Sequence, residues 1–156
     1  MLSEKVGAAL KRQGIMLVTA ESCTGGWIAQ AVTSVAGSSE WFDRGFVTYS
    51  NLAKQEMLGV RPEVLMQYGA VSEQTVREMA QGALRRSQAK VSVAVSGIAG
   101  PSGGTREKPV GTVWFAWAAE QTDTRVRGTR FSGDREAVRR QAVVMALQGI
   151  LDILEH

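Results

Sequence analysis

The 156-residue sequence predicts a three-layer α/β domain, helices on both faces of a mixed sheet of about five strands. Three features carry that prediction. Short apolar runs of strand type alternate with segments of helical periodicity along the first part of the chain. Two strand-like runs then follow one another around a polar turn. The chain finishes on apolar positions spaced four, three and four apart.

Taken in order, Ser3 is a candidate cap for a first helix with Val6 and Leu10 on one face, and Gly14 is its stop. Ile15 through Ala20 reads as a buried strand. Trp27, Ile28, Ala31, Val32 and Val35 fall at helical spacing, which predicts a helix over Thr24–Val35. The run "RGFVTYS" predicts a second strand, followed by a short helix over "NLAKQEML" with Ser50 or Asn51 as its cap. Ser72 caps a longer helix, with Val71 and Val76 placed as a hydrophobic staple. "VSVAVSGIAG" is a strand running into a glycine-rich loop. "VGTVWFAWAA" and "DTRVRGTRFS" form two strands joined near Gln121, and Val143, Leu147, Ile150 and Leu154 mark the last helix.

No repeat, low-complexity tract or linker interrupts the pattern, so residues 1–156 are expected to form a single domain. Eighteen Lys and Arg against fifteen Asp and Glu leave a net charge of +3, too small an excess to demand nucleic acid as a partner. One cysteine cannot close an internal disulfide, no stretch approaches a membrane span, and the N-terminus lacks a secretion pattern. The expectation is a soluble cytoplasmic protein without membrane contact.

Residue counting removes most hydrolytic constellations. The one histidine is His156, the last residue, which leaves Ser/His/Asp and Cys/His arrangements without a base. One Cys and one terminal His cannot build a common zinc site, and no carboxylate cluster stands out, so no metal is expected. "GIAGPSGG" lacks the Lys and Ser or Thr that a P-loop places after its last glycine.

A hydroxyl activated by lysine or tyrosine survives the elimination. Ser22 sits in a strand-to-helix turn, where backbone N–H groups of the first helical turn have the polarity to hold a developing oxyanion. Gly25 and Gly26 permit close approach, while Thr24 serves the helix start. Spacing alone fits helix capping by Ser22, Cys23 and Thr24 better than catalysis, since Ala20 and Thr24 stand where a nucleophile elbow has glycines. Lys54 falls in the first turn of its helix, where the dipole lowers an ammonium pKa; if the site is also partly desolvated, the neutral amine becomes available as a general base. Tyr49 is placed to relay a proton or bind substrate. The plainer alternative makes Lys54 a solvated surface charge and Tyr49 a half-buried strand residue.

"GIAGPSGGTREKPVG" places five glycines and two prolines between strands, and its length favours a binding loop of anion-holding N–H groups over a simple connection. Arg135 and Arg139 share a helical face. They suit a phosphate, although a solvated face paired with Glu136 explains them as well. Trp114, Phe115 and Trp117 read as packing and not as a base-stacking platform.

Five segments, "TAESCTGGWIA", "GFVTYSNLAK", "GAVSEQT", "SGIAGPSGGTREKPVGTVW" and "FSGDREAVRRQA", appear in this order. Together they resemble the C-terminal domain family of the competence-damage-inducible protein CinA over nearly the whole chain. The resemblance is greatest to stand-alone members, which deamidate nicotinamide mononucleotide to nicotinic acid mononucleotide and ammonia. It implies a three-layer α/β domain working without metal or other cofactor, with Ser22 as nucleophile and Tyr49 and Lys54 as its companions. A homodimer is the expected assembly.

For such a substrate the phosphate ligands are expected among the N–H groups of the Gly97, Gly100, Gly103 and Gly104 loop, with Thr105, Lys108, Arg135 or Arg139. Ser96 departs from the family pattern, where many relatives carry Thr. The N-terminal molybdopterin-binding-like domain of two-domain relatives, and any pyrophosphatase activity tied to it, is not expected here. The alternative function is a non-catalytic nucleotide-binding or DNA-related accessory module, which would tolerate loss of Ser22 and Lys54.

Overall fold

In the computed structural model, which describes residues 1–155, the strands are β1 (Leu17–Glu21), β2 (Phe42–Val47), β3 (Val91–Gly97), β4 (Thr112–Ala119) and β5 (Arg125–Arg130). They form one five-stranded sheet in the order β2-β1-β3-β4-β5. β1 pairs in parallel with β2 and β3, whereas β4 and β5 complete the sheet antiparallel, as the back-to-back strand runs require. The three-layer mixed architecture read from the sequence is the one observed.

Helices α1 (Leu2–Gln13), α2 (Trp27–Thr33) and α6 (Arg135–Leu154) cover one face over Leu17, Val91, Val93, Val95, Val113, Phe115 and Trp117. The other face is smaller in side chain, with Val18, Ala20, Ala94, Ala116 and Ala118, so α5 (Glu73–Arg85) lies close against it beside α3 (Asn51–Leu58) and α4 (Pro62–Tyr68). Alternation along β1 therefore sends Leu17 to one core and Val18 to the other.

Local chemistry sets several ends as expected. Gly14 closes α1 at φ 67°, and the hydroxyls of Ser50 and Ser72 accept from the N–H groups of Ala53 and Thr75 to cap α3 and α5. Several boundaries differ, β1 for one running Leu17–Glu21 and not Ile15–Ala20. α1 begins at Leu2 with Met1 before it, so Ser3 is inside the helix. α2 begins at Trp27, not Thr24, because Gly25 and Gly26 take positive φ values of 60° and 105° that no right-handed helix admits. β2 covers Phe42–Val47 and releases Thr48 and Tyr49 into the loop. α4, with Pro62 at its start, is a helix that the periodicity did not announce.

β1, β2 and β3 all end on the same edge of the sheet. The order of the strands reverses there, since β2 lies on one side of β1 and β3 on the other. Crevices at such switch points are where α/β sheets bind ligands.

Candidate active site

Ser22 follows the last residue of β1, its N–H donating to the Val95 carbonyl of β3 at 3.0 Å. The strand alternation that puts Glu21 under α2 puts Ser22 on the opposite side, toward α3. Lys54 comes from that helix and is 1 % exposed. Its Nζ lies 3.0 Å from Ser22 Oγ, 3.1 Å from the Thr48 carbonyl and 3.2 Å from the Tyr49 carbonyl. The Tyr49 carbonyl is also 3.5 Å from Ser22 Oγ.

Burial pulls the Lys54 ammonium pKa down from 10.5 to about 8. The solvated-surface reading of Lys54 is thereby excluded. Desolvation is the cause of that lowering, and Cys23 opposes it. All three oxygens, two carbonyls and the Ser22 hydroxyl, accept from Nζ; loss of one proton leaves a lone pair within reach of that hydroxyl.

Ser22 and Lys54 open onto a cavity of about 360 Å³, also lined by Cys23, Tyr49, Asn51, Ala70, Val71, Ser96 to Gly100, Ser102, Gly103 and Arg135. The volume falls in the small-molecule range, roughly 300–1,000 Å³. Arg135 spans its mouth, with Nη1 donating to the Gly100 carbonyl at 2.8 Å and Nη2 to the Tyr49 hydroxyl at 3.3 Å. Tyr49 is 62 % exposed, so its ring belongs to the rim while its carbonyl belongs to the floor. Cys23 is nearly buried, and desolvation pushes its thiol up to about 11, which keeps it protonated and a poor nucleophile at neutral pH.

The remaining sequence candidates lie around this cavity and do not line it. The Thr24 hydroxyl donates to Glu21 Oε1 at 2.6 Å, and Gly25 and Gly26 form the turn that follows. The Thr105 hydroxyl accepts from the Lys108 N–H at 3.0 Å, and Lys108 Nζ donates to the Tyr68 carbonyl at 2.6 Å, tying the glycine loop to the end of α4. Gly104 passes so close to Val110 that a Cβ would lie 2.6 Å from the Val110 nitrogen. Arg139 donates to the carbonyls of Cys23 and Thr24.

The first turn of α2 is occupied. Glu21 Oε1 accepts from Ile28 N–H at 2.8 Å and Oε2 from Ala29 N–H at 3.1 Å, so these donors are closed to an oxyanion. Sequence reasoning missed Asn51, Ala70, Val71 and Ser102, whose arrival at the cavity depends on how α3, the α4–α5 junction and the loop after β3 pack. Among the described residues no three His, Cys, Asp or Glu side chains cluster as metal ligands, and no helix is long and apolar enough to cross a membrane. His156 lies outside the described residues.

A mixed α/β sheet with a buried lysine on a serine at its carboxyl edge, opening on a cavity beside a glycine loop, has the layout of an α/β enzyme with its site at the strand switch point. The chain belongs to the CinA C-terminal domain family, whose model matches residues 1–154. It is 62% identical over 147 residues to the nicotinamide-nucleotide amidohydrolase PncC of Escherichia coli (strain K12), covering 94% of this chain and 89% of that protein. A protein of the same name from Pseudomonas putida is 54% identical over 155 residues, covering 97% and 94%. The crystal structure of competence/damage inducible protein CihA from Agrobacterium tumefaciens superposes with a TM-score of 0.96 at 48% identity, covering 99% of this chain and 94% of that one.

Proposed function

We propose that this protein hydrolyses the carboxamide of nicotinamide mononucleotide, giving nicotinic acid mononucleotide and ammonia. The observation that carries the reading is the 3.0 Å contact between the buried Lys54 amine and the Ser22 hydroxyl at the floor of a nucleotide-sized cavity. Its support from relatives is the 62% identity to a protein named for that activity, matched over most of its length.

Neutral Lys54 takes the Ser22 proton as Oγ attacks the carboxamide carbon. The resulting ammonium returns that proton to the departing nitrogen, so ammonia leaves and the nicotinoyl group stays esterified to Ser22. Water, deprotonated by the same amine, then cleaves the ester to the carboxylate and restores the hydroxyl. With Glu21 holding the α2 donors, the oxyanion falls to N–H groups nearer Ser22, in the Cys23–Gly26 turn or the Gly97–Gly104 loop. Tyr49 assists from the rim, and Arg135 with the Gly100–Gly103 segment holds the phosphate at the mouth.

Incubation of the purified protein with nicotinamide mononucleotide, following ammonia and nicotinic acid mononucleotide together, tests this reading. Equimolar products are expected, and they should vanish in Ser22→Ala. Absence of both products from the wild-type protein would end it.

A further inference from the structure

Within itself the turn that carries Ser22 has two backbone bonds, from the Gly25 N–H to the Ser22 carbonyl and from the Trp27 N–H to the Thr24 carbonyl. Gly25 and Gly26 are both left-handed, and the N-cap of α2 is Gly26, which has no side chain to accept a hydrogen bond. The side chains that hold it come from outside the turn. Glu21, 1 % exposed, collects the Thr24 hydroxyl and the N–H groups of Ile28 and Ala29. On the carbonyl side the fixing group comes from α6, more than a hundred residues away in sequence: Arg139 Nε donates to the Cys23 carbonyl at 3.1 Å and Nη2 to the Thr24 carbonyl at 3.2 Å. The guanidinium carbon sits 5.4 Å from the centroid of the Trp27 ring, so the first residue of α2 packs on the same group.

The Ser22 carbonyl accepts from the Gly25 N–H at 3.1 Å, so three successive carbonyls of the turn are held, two of them by one guanidinium. Because the peptide units are planar, fixing those carbonyls fixes the backbone planes that lead directly away from Ser22. The planar guanidinium presents Nε and Nη2 to these carbonyls at a fixed separation while its face lies against Trp27, a combination a lysine does not reproduce.

Arg135 and Arg139 stand one helical turn apart on α6 and have different tasks. Arg135 lines the cavity and reaches the Tyr49 hydroxyl; Arg139 does not line it and spends its donors on the turn. We infer that Arg139 is a positioning residue that holds the Ser22 turn in its attacking geometry, and is not a ligand of the substrate phosphate. The catalytic half of this inference rests on the proposed amidohydrolase reaction; the structural half does not.

Two measurements on wild type, Arg139→Ala and Arg139→Lys test it, with Tm as the check on folding. Amide hydrogen exchange over residues 22–26 is expected to accelerate at Gly25 by about tenfold or more in Arg139→Ala, with exchange in β1 and β3 unchanged. On nicotinamide mononucleotide, kcat should fall on the order of 10²-fold with KM nearly constant, and the preference for mononucleotide over riboside should persist. Arg139→Lys should show the same pattern at smaller size, and it carries the test if the alanine variant does not fold. Unchanged exchange in the turn, or unchanged kcat, would overturn the inference. So would a raised KM with loss of the mononucleotide preference, which would make Arg139 a phosphate ligand. If wild type releases no ammonia, the reaction assignment fails, and the exchange result still decides whether Arg139 holds the turn.

Discussion

Lys54 Nζ lies 3.0 Å from Ser22 Oγ although 32 residues separate them in the chain. The contact exists because β1 and β2 are parallel neighbours: Ser22 leaves the end of one, Thr48 and Tyr49 leave the end of the other, and α3 then turns back to bring its fourth residue under both. The same loop supplies two carbonyls that accept from Nζ, and the third oxygen it meets is the Ser22 hydroxyl.

Burying that amine makes stability depend on pH. The folded pKa of about 8 lies below the ordinary 10.5, so between those values the unfolded chain binds the proton more strongly. The contribution of Lys54 to stability is therefore complete above about pH 10.5 and is lost as pH falls to about 8. The difference in Tm between wild type and Lys54→Met should shift in favour of wild type as pH rises through that window. A difference that stays flat would mean a lysine that keeps its ordinary pKa.

The thiol beside the nucleophile should be a bystander. With its pKa up at about 11, Cys23 is almost entirely protonated at pH 7.5, and alkylation by iodoacetamide should be far slower than for a free cysteine. Cys23→Ser should keep most of the activity while Ser22→Ala loses it. The reverse pattern would move the nucleophile to sulfur.

Arg135 should discriminate between substrates. Charge-assisted hydrogen bonds are worth about 1.5–3 kcal/mol, so Arg135→Ala should lower kcat/KM for nicotinamide mononucleotide by about 10- to 100-fold and change the riboside little. Equal losses on both substrates would place the phosphate elsewhere.

Glu21 should be a stability residue as well as a brace for the turn. Glu21→Ala strands the Thr24 hydroxyl and the N–H groups of Ile28 and Ala29, each of which costs about 1–3 kcal/mol when left unpaired in a buried site. A loss of about 3 kcal/mol or more is expected in chemical denaturation, and Glu21→Gln should be milder because its carbonyl still accepts on one side. A neutral Glu21→Ala would show that water serves these groups equally well.

The parts of this molecule governed by local chemistry were legible in its sequence. Apolar runs gave β1 and β3, hydroxyls at Ser50 and Ser72 gave helix starts, and Gly14 gave a stop, because each effect acts within a few residues. The start of α2 at Trp27 is not legible from spacing, because left-handed Gly25 and Gly26 delay it and its first free N–H groups are capped by Glu21, seven residues before Ile28, where no capping pattern points. Ser22, Tyr49 and Lys54 could be singled out by elimination and by resemblance, but their meeting depends on parallel pairing of β1 with β2. The face shared by Arg135 and Arg139 was visible as a helical spacing. That one would turn to the cavity and the other to two backbone carbonyls was not, since both destinations lie on loops from other strands.

The pH dependence of kcat/KM for nicotinamide mononucleotide, measured with wild type and Lys54→Arg, reaches the claim that a neutral lysine activates Ser22 most directly. Wild type should rise about tenfold per pH unit on the acidic side and level off near the Lys54 pKa of about 8. Lys54→Arg, permanently charged and unable to accept the proton, should lose on the order of 10²- to 10⁴-fold and show no such inflection. An active Lys54→Arg enzyme with the wild-type profile would contradict the claim.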